Sequence, residues 1–173
     1  MGGQGTRVSK YPWQVMVVRS SGGYTYTCGG SIISNLHILT AAHCTADDRN
    51  IPHPESSLAV FFGDTYLNFD YRAISINTPH PKYERNGNDY AYDVSILTMD
   101  SPISFSGTKV PVCLPSYDWK LFEGELATVT GRGKTEWNGD SASQLMEVDV
   151  TVTSYSVCNN AYEGNKGFGK IME

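Results

Sequence analysis

Apolar residues along this chain come in short runs separated by turn residues, and no long stretch keeps the helical period. Tyr11-Pro12-Trp13 opens the first run, 13–18, and Ser21-Gly22-Gly23 closes it with a turn signal. Residues 24–33 read as two short apolar pieces around Cys28-Gly29-Gly30, and 36–40 as a further strand. Ala41-Ala42-His43-Cys44 has the composition of a short helical turn. Residues 45–57 are polar, and Pro52 and Pro54 lack the amide hydrogen that regular structure needs, which predicts a loop. Strand-like runs follow at 58–63, 71–76 and 94–99, the last beginning directly after Asp93.

Segment 102–115, punctuated by Gly107, Pro111 and Pro115, reads as an extended connector. It divides the chain into 1–105 and 106–173. Beyond it, 126–131 and 145–152 are strands; in the second, Val148, Val150 and Val152 alternate with Asp149 and Thr151. A hairpin-like loop, 133–143, joins them, and 154–162 reads as one short helix with Ser154 as its N-cap. Strands at this spacing without long helices predict an all-β protein built from antiparallel barrels.

Composition narrows what such a protein does. With 40% hydrophobic and 18% charged residues in 173, the chain can form a core and is not a disordered tail. Its net charge of −5 comes without a basic cluster, so nucleic acid is not an expected partner. No run is long and apolar enough for a membrane span, and residues 1–12 lack the apolar block of a signal peptide. Met1-Gly2-Gly3-Gln4-Gly5-Thr6 fits the loose N-myristoylation pattern but is read as a Gly-rich turn leading into a strand. The four cysteines, Cys28, Cys44, Cys113 and Cys158, allow three fully paired connectivities. None forms CxxC and no Cys/His cluster has zinc spacing, so neither structural zinc nor another metal is expected. Cys44 adjoins His43, which suggests a disulfide beside a functional group and an oxidising compartment.

His43 alone carries little, and Asp93 could simply cap or terminate a strand; their shared context changes that. Thr40-Ala41-Ala42-His43-Cys44, preceded by Cys28-Gly29-Gly30-Ser31-Ile32-Ile33, resembles the histidine region of the chymotrypsin/trypsin family of serine proteases. Asp93-Val94-Ser95-Ile96-Leu97 is similar to that family's aspartate motif. Further agreement, in order, comes from Tyr11-Pro12-Trp13-Gln14-Val15, His80-Pro81-Lys82-Tyr83, Pro111-Val112-Cys113-Leu114-Pro115 and Val129-Thr130-Gly131-Arg132-Gly133. The resemblance spans essentially the whole chain. It implies a double six-stranded antiparallel β-barrel of chymotrypsin type, with 1–105 as the first barrel and 106–173 as linker and incomplete second barrel. It also implies endopeptidase chemistry on polypeptide substrates through an acyl-enzyme, secretion, no cofactor, and a Cys28–Cys44 disulfide bracketing the histidine turn. His43 would be the general base and Asp93 its orienting partner, because a serine hydroxyl is a poor nucleophile without a base in reach. His37, His53 and His80 are read as structural, the last two as exposed, and Asp64 and Asp70 as poor calcium ligands for want of a run of oxygen donors.

The chain also departs from that family. The nucleophile motif Gly-Asp-Ser-Gly-Gly-Pro does not occur; Gly139-Asp140-Ser141 continues as Ala142-Ser143 and is read as a turn. Met1 precedes Gly2-Gly3 where an activated relative would expose a bulky apolar pair, and Arg132 stands where tryptophan is usual. The expectation is a fragment lacking the nucleophilic serine, whose missing C-terminal segment, or a propeptide or light chain, would partner Cys113 and Cys158. Both are therefore expected unpaired here, and open barrel edges should make the isolated chain poorly soluble. The alternative is a catalytically inactive homologue acting as a binding or regulatory protein.

Overall fold

A computed structural model describes residues 3–63, 70–86, 89–115, 122–134 and 139–163. In chain order the strands are β1 (Gln4–Gly5), β2 (Gln14–Ser21), β3 (Tyr24–Ile32), β4 (His37–Thr40), β5 (Leu58–Phe62) and β6 (Asp70–Pro79). They continue as β7 (Glu84–Asn86), β8 (Asp89–Ala91), β9 (Ser95–Met99), β10 (Leu126–Gly131) and β11 (Met146–Thr151), followed by helix α1 (Tyr155–Glu163). Six strands close into an antiparallel barrel in the order β2-β3-β4-β9-β6-β5, and β1, β11 and β10 form a separate three-stranded sheet. The all-β expectation and the barrel architecture are both met.

Alternation fills the barrel. Leu58, Val60 and Phe62 of β5 point inward, as do Val15 and Val17 of β2 and Leu97 and Met99 of β9. Each such side chain contributes roughly 1.5–3 kcal/mol by leaving water. The β2–β3 turn is built on Gly22 and Gly23, both at positive φ (58° and 81°), the backbone a two-residue hairpin with right-handed strand twist demands.

Residues 24–32 form one continuous strand, not two pieces. The glycines do not break it, because β3 runs in unbroken register against β2, with Gly29 opposite Met16 and Gly30 opposite Val15. A Cβ on Gly30 would come within 3.0 Å of Ile38 and 3.1 Å of Val15 and Val17, so glycine here permits close packing. The loop expected over 45–57 contains a short 3-10 turn, Glu55–Ser57, and a bridge between Ala46 and Pro52. Two elements escaped the sequence reading: the β7–β8 hairpin and β1, which pairs with β11 through Gln4 opposite Glu147. The connector lies along the barrel, with Val110 N–H donating to the Pro12 carbonyl and Val112 N–H to that of Ile32. The expected helix forms, and Ser154 Oγ accepts the Val157 N–H as an N-cap should (3.3 Å).

Candidate active site

His43 sits in a 3-10 turn, Ala42–Cys44, that leaves the end of β4. Three bonds hold the turn: Cys44 N–H to Ala41 O, and Thr45 and Ala46 N–H to Ala42 O. Just before it, buried Thr40 donates its hydroxyl to the Gly29 carbonyl of β3 (2.8 Å). Cys28 of β3 is disulfide-bonded to Cys44, 16 residues on. Closing a loop of that size is worth about 3 kcal/mol in the chain-entropy model, and it also limits where the turn can drift. Small Ala42 and Ala46 leave room for the ring of Tyr83, which packs behind the histidine turn. Burial, with Asp93 nearby, pushes the Tyr83 phenol to higher pKa, so it stays neutral.

Asp93 lies between β8 and β9 and meets His43 at two points. Its Oδ1 accepts the His43 backbone N–H at 2.8 Å, and its Oδ2 lies 2.7 Å from His43 Nδ1. A carboxylate only accepts, so Nδ1 carries the proton and the lone pair of a neutral imidazole falls on Nε2. The aspartate side chain is 23% exposed and the histidine 45%, so the carboxylate is the more sheltered of the two. A second bond ties the same elements together beneath the surface: Thr45 Oγ1 donates to Ser95 Oγ at 2.8 Å, both residues buried. Asn77 of β6 adds a third tie, its amide donating to Thr45 O (2.7 Å) and His53 O (3.0 Å).

Tyr90 of β8 leans over His43, ring centroids 5.3 Å apart and planes at 57°. The Arg85 guanidinium lies 5.2 Å from the Tyr90 ring and pairs with Asp48 at 2.5 Å. A cavity of about 260 Å³ is lined by His43 together with Val17, Arg19, Tyr26, Thr27 and the disulfide, with Arg19 held 4.1 Å over the Tyr26 ring. Tyr90, Arg19 and Tyr26 were not singled out from sequence. Asn86-Gly87 between two polar runs was the available hairpin signal for the first.

The remaining candidates lie elsewhere. His37 Nδ1 is bonded to Ser34 Oγ at 2.8 Å. His53 and His80 are half-buried, correcting their reading as exposed: burial lowers the His53 pKa, and His80 stacks on Tyr92. Asp70 is engaged by Lys109 and Arg72, which hold its carboxyl below the ordinary range, and Asp64 lies outside the described residues. Ser141 is exposed, on an isolated bridge to Lys134. Cys113 and Cys158 are free thiols. Among the described residues, Cys28, His43 and Cys44 offer a cluster of metal-ligating atoms. The disulfide occupies both sulfurs, and a metal needs thiolates.

A closed antiparallel barrel that presents a carboxylate-braced imidazole at its rim, beside a disulfide, defines a chymotrypsin-type fold. The chain belongs to the trypsin family of serine proteases: it matches the family described as Trypsin over residues 1–171. It is 33% identical over 170 residues to serine protease filzig of Drosophila melanogaster, covering 94% of this chain and 10% of that protein. To serine proteinase stubble of the same organism it is 33% identical over 168 residues, 94% of this chain and 21% of the relative. To the suppressor of tumorigenicity 14 protein homolog of Bos taurus it is 29% identical over 167 residues, 92% and 19% respectively. The chain thus spans between a tenth and about a fifth of the length of these relatives.

Proposed function

We propose that this chain carries the general base of a trypsin-like serine endopeptidase, with His43 as the base and Asp93 as the group that orients it. The observation that carries this reading is the two-point contact of the Asp93 carboxylate with the backbone and the ring of His43. In the reaction, His43 Nε2 takes the proton of a serine hydroxyl as its oxygen attacks the scissile carbonyl. The imidazolium, stabilised by Asp93, then returns that proton to the leaving amine, and water repeats the cycle on the acyl-enzyme. The nucleophile on this reading is not Ser141 and comes from outside these 173 residues. Residues 1–105 form the first barrel unit, and 106–173 are the linker and the beginning of a second. Substrates are polypeptides, no cofactor takes part, and the Cys28–Cys44 disulfide supports a secreted protein. Cys113 and Cys158 await partners on a further segment or chain.

A serine-directed phosphonate probe tests the assignment. The 173-residue chain is expected to remain unlabelled, whereas the product of the same transcript extended to a Gly-Asp-Ser-Gly-Gly segment is expected to label, and His43→Ala in that longer protein to abolish labelling. Stoichiometric labelling of the chain alone would refute an external nucleophile. A transcript that continues with another residue in the serine's place would replace the protease reading with that of an inactive homologue acting by binding.

A further inference from the structure

Asp93 reaches His43 from an unfavourable backbone. The residue before it, Tyr92, has φ +52°, the left-handed region where a Cβ crowds the neighbouring carbonyl and glycine or asparagine is the usual occupant. A bulky aromatic persists there only when its surroundings over-determine it. Those surroundings are specific. The Tyr92 ring lies on the His80 imidazole with centroids 5.0 Å apart and planes within 7°, and Lys82 Nζ sits 5.6 Å from the centre of the same Tyr92 ring.

His80 is fixed in its turn. Its Nδ1 accepts the Lys82 N–H (3.1 Å), and its carbonyl accepts from Asn50 Nδ2 (3.2 Å). Its own N–H donates to the Val94 carbonyl at 2.9 Å. One residue therefore grips both neighbours of Asp93, Tyr92 through its ring and Val94 through its backbone. Between them the Val94 N–H closes on the Tyr92 carbonyl (2.8 Å), a tight turn centred on the aspartate. Rotating the Tyr92 backbone back to ordinary φ would swing the following carboxylate, and the stack opposes that rotation.

We propose that His80 and Tyr92 act as a clamp that aims Asp93 at His43. Both are assigned as positioning residues, acting on Asp93 and not on the reacting atoms. The inference rests on reading the His43–Asp93 pair as the catalytic base and its orienting group, but its test reads the hydrogen bond itself and needs no nucleophile.

The tautomer of His43 reports that bond. In two-bond 1H–15N spectra of the labelled chain, with the imidazole neutral, the wild type should show the proton on Nδ1. Tyr92→Ala removes the ring and keeps a Cβ that disfavours positive φ. His80→Asn removes the ring and keeps an acceptor for the N–H two residues on. Tyr92→Phe keeps the stack. In Tyr92→Ala and His80→Asn the Nδ1–H to Nε2–H ratio should fall about two- to tenfold, the size of an aromatic contact, with barrel amide shifts unchanged; Tyr92→Phe should match the wild type. A wild-type ratio in both ring-deletion variants overturns the clamp, as does a Tyr92→Phe ratio as low as that of Tyr92→Ala. Should Tyr92→Ala unfold, His80→Asn decides, since it leaves residue 92 intact. An Nε2–H wild type would instead overturn the His43–Asp93 reading, and the clamp with it.

Discussion

The barrel and the three-stranded sheet are held by different physics. Inside the barrel Ile32, Ile38, Val60 and Leu97 have no exposed surface, and strand closure leaves few free edges. The sheet keeps Leu126 74% and Val129 54% exposed, and its link to the N-terminal segment is partly polar. There Glu147 of β11 accepts from Lys10 Nζ (2.8 and 2.9 Å), Tyr11 OH (2.7 Å) and Gln4 Nε2 (2.9 Å). Apolar burial specifies the barrel; where the N-terminal segment meets β11, buried Val8 and Leu145 are joined by a carboxylate, Glu147, that gathers three donors.

Three measurements sharpen that contrast. The largest effect belongs to the barrel: Ile38→Ala should destabilise the chain by about 2–5 kcal/mol in denaturant titration, because the cavity it leaves cannot collapse against neighbouring strands. A loss below about 1 kcal/mol would mean the barrel is less tightly packed than its burial implies.

The second effect concerns the N-terminal segment and acid. Its donors hold the Glu147 carboxyl at about 2, well below its ordinary 4.5, with the Lys10 bond the largest cause. A carboxyl whose folded pKa is depressed stabilises the structure above the unfolded value and loses that contribution as pH falls through the folded one. Protection of the Thr6 amide, which donates to the Leu145 carbonyl at 2.7 Å, should therefore decline between about pH 4.5 and 2. Glu147→Gln should remove most of that decline and weaken Thr6 protection at neutral pH. Asp70 is depressed in the same direction by Lys109 and Arg72, so barrel amides also respond to acid; persistence of the Thr6 response in Glu147→Gln would transfer it to such groups. The smallest effect is on the open face of the sheet. Val129→Thr should change stability by no more than about 0.5 kcal/mol, as exposed positions do, and a larger loss would reveal a packing partner on that face.

What sequence made legible follows from the same division. Strands that close the barrel were legible as short apolar runs bounded by turn residues, and, apart from β3, read as two pieces, their ends were placed within a few residues. β1 was invisible as a paired strand, because two residues carry no period and the partner lies more than a hundred residues away. The β7–β8 hairpin was hidden by its polar content, Glu84-Arg85-Asn86 and Asp89-Tyr90-Ala91. β9 shows how pattern can mislead on the inward face: Ser95 is buried while Ile96 is 40% exposed, since Ser95 answers a buried hydroxyl on Thr45. At the site, His43 and Asp93 were legible because motif context accompanies them. Tyr92 and His80 were not, since a positive φ and a ring stack leave no trace in composition.

The Cys28–Cys44 bridge gives the imidazole a dependence that packing alone would not. It links β3 directly to the turn bearing His43, so a thiol reductant would release the covalent tether of that turn. In a glutathione-rich milieu the turn would lose its covalent mooring, and the position of the His43 ring would then rest on the turn's short backbone bonds and on Asp93.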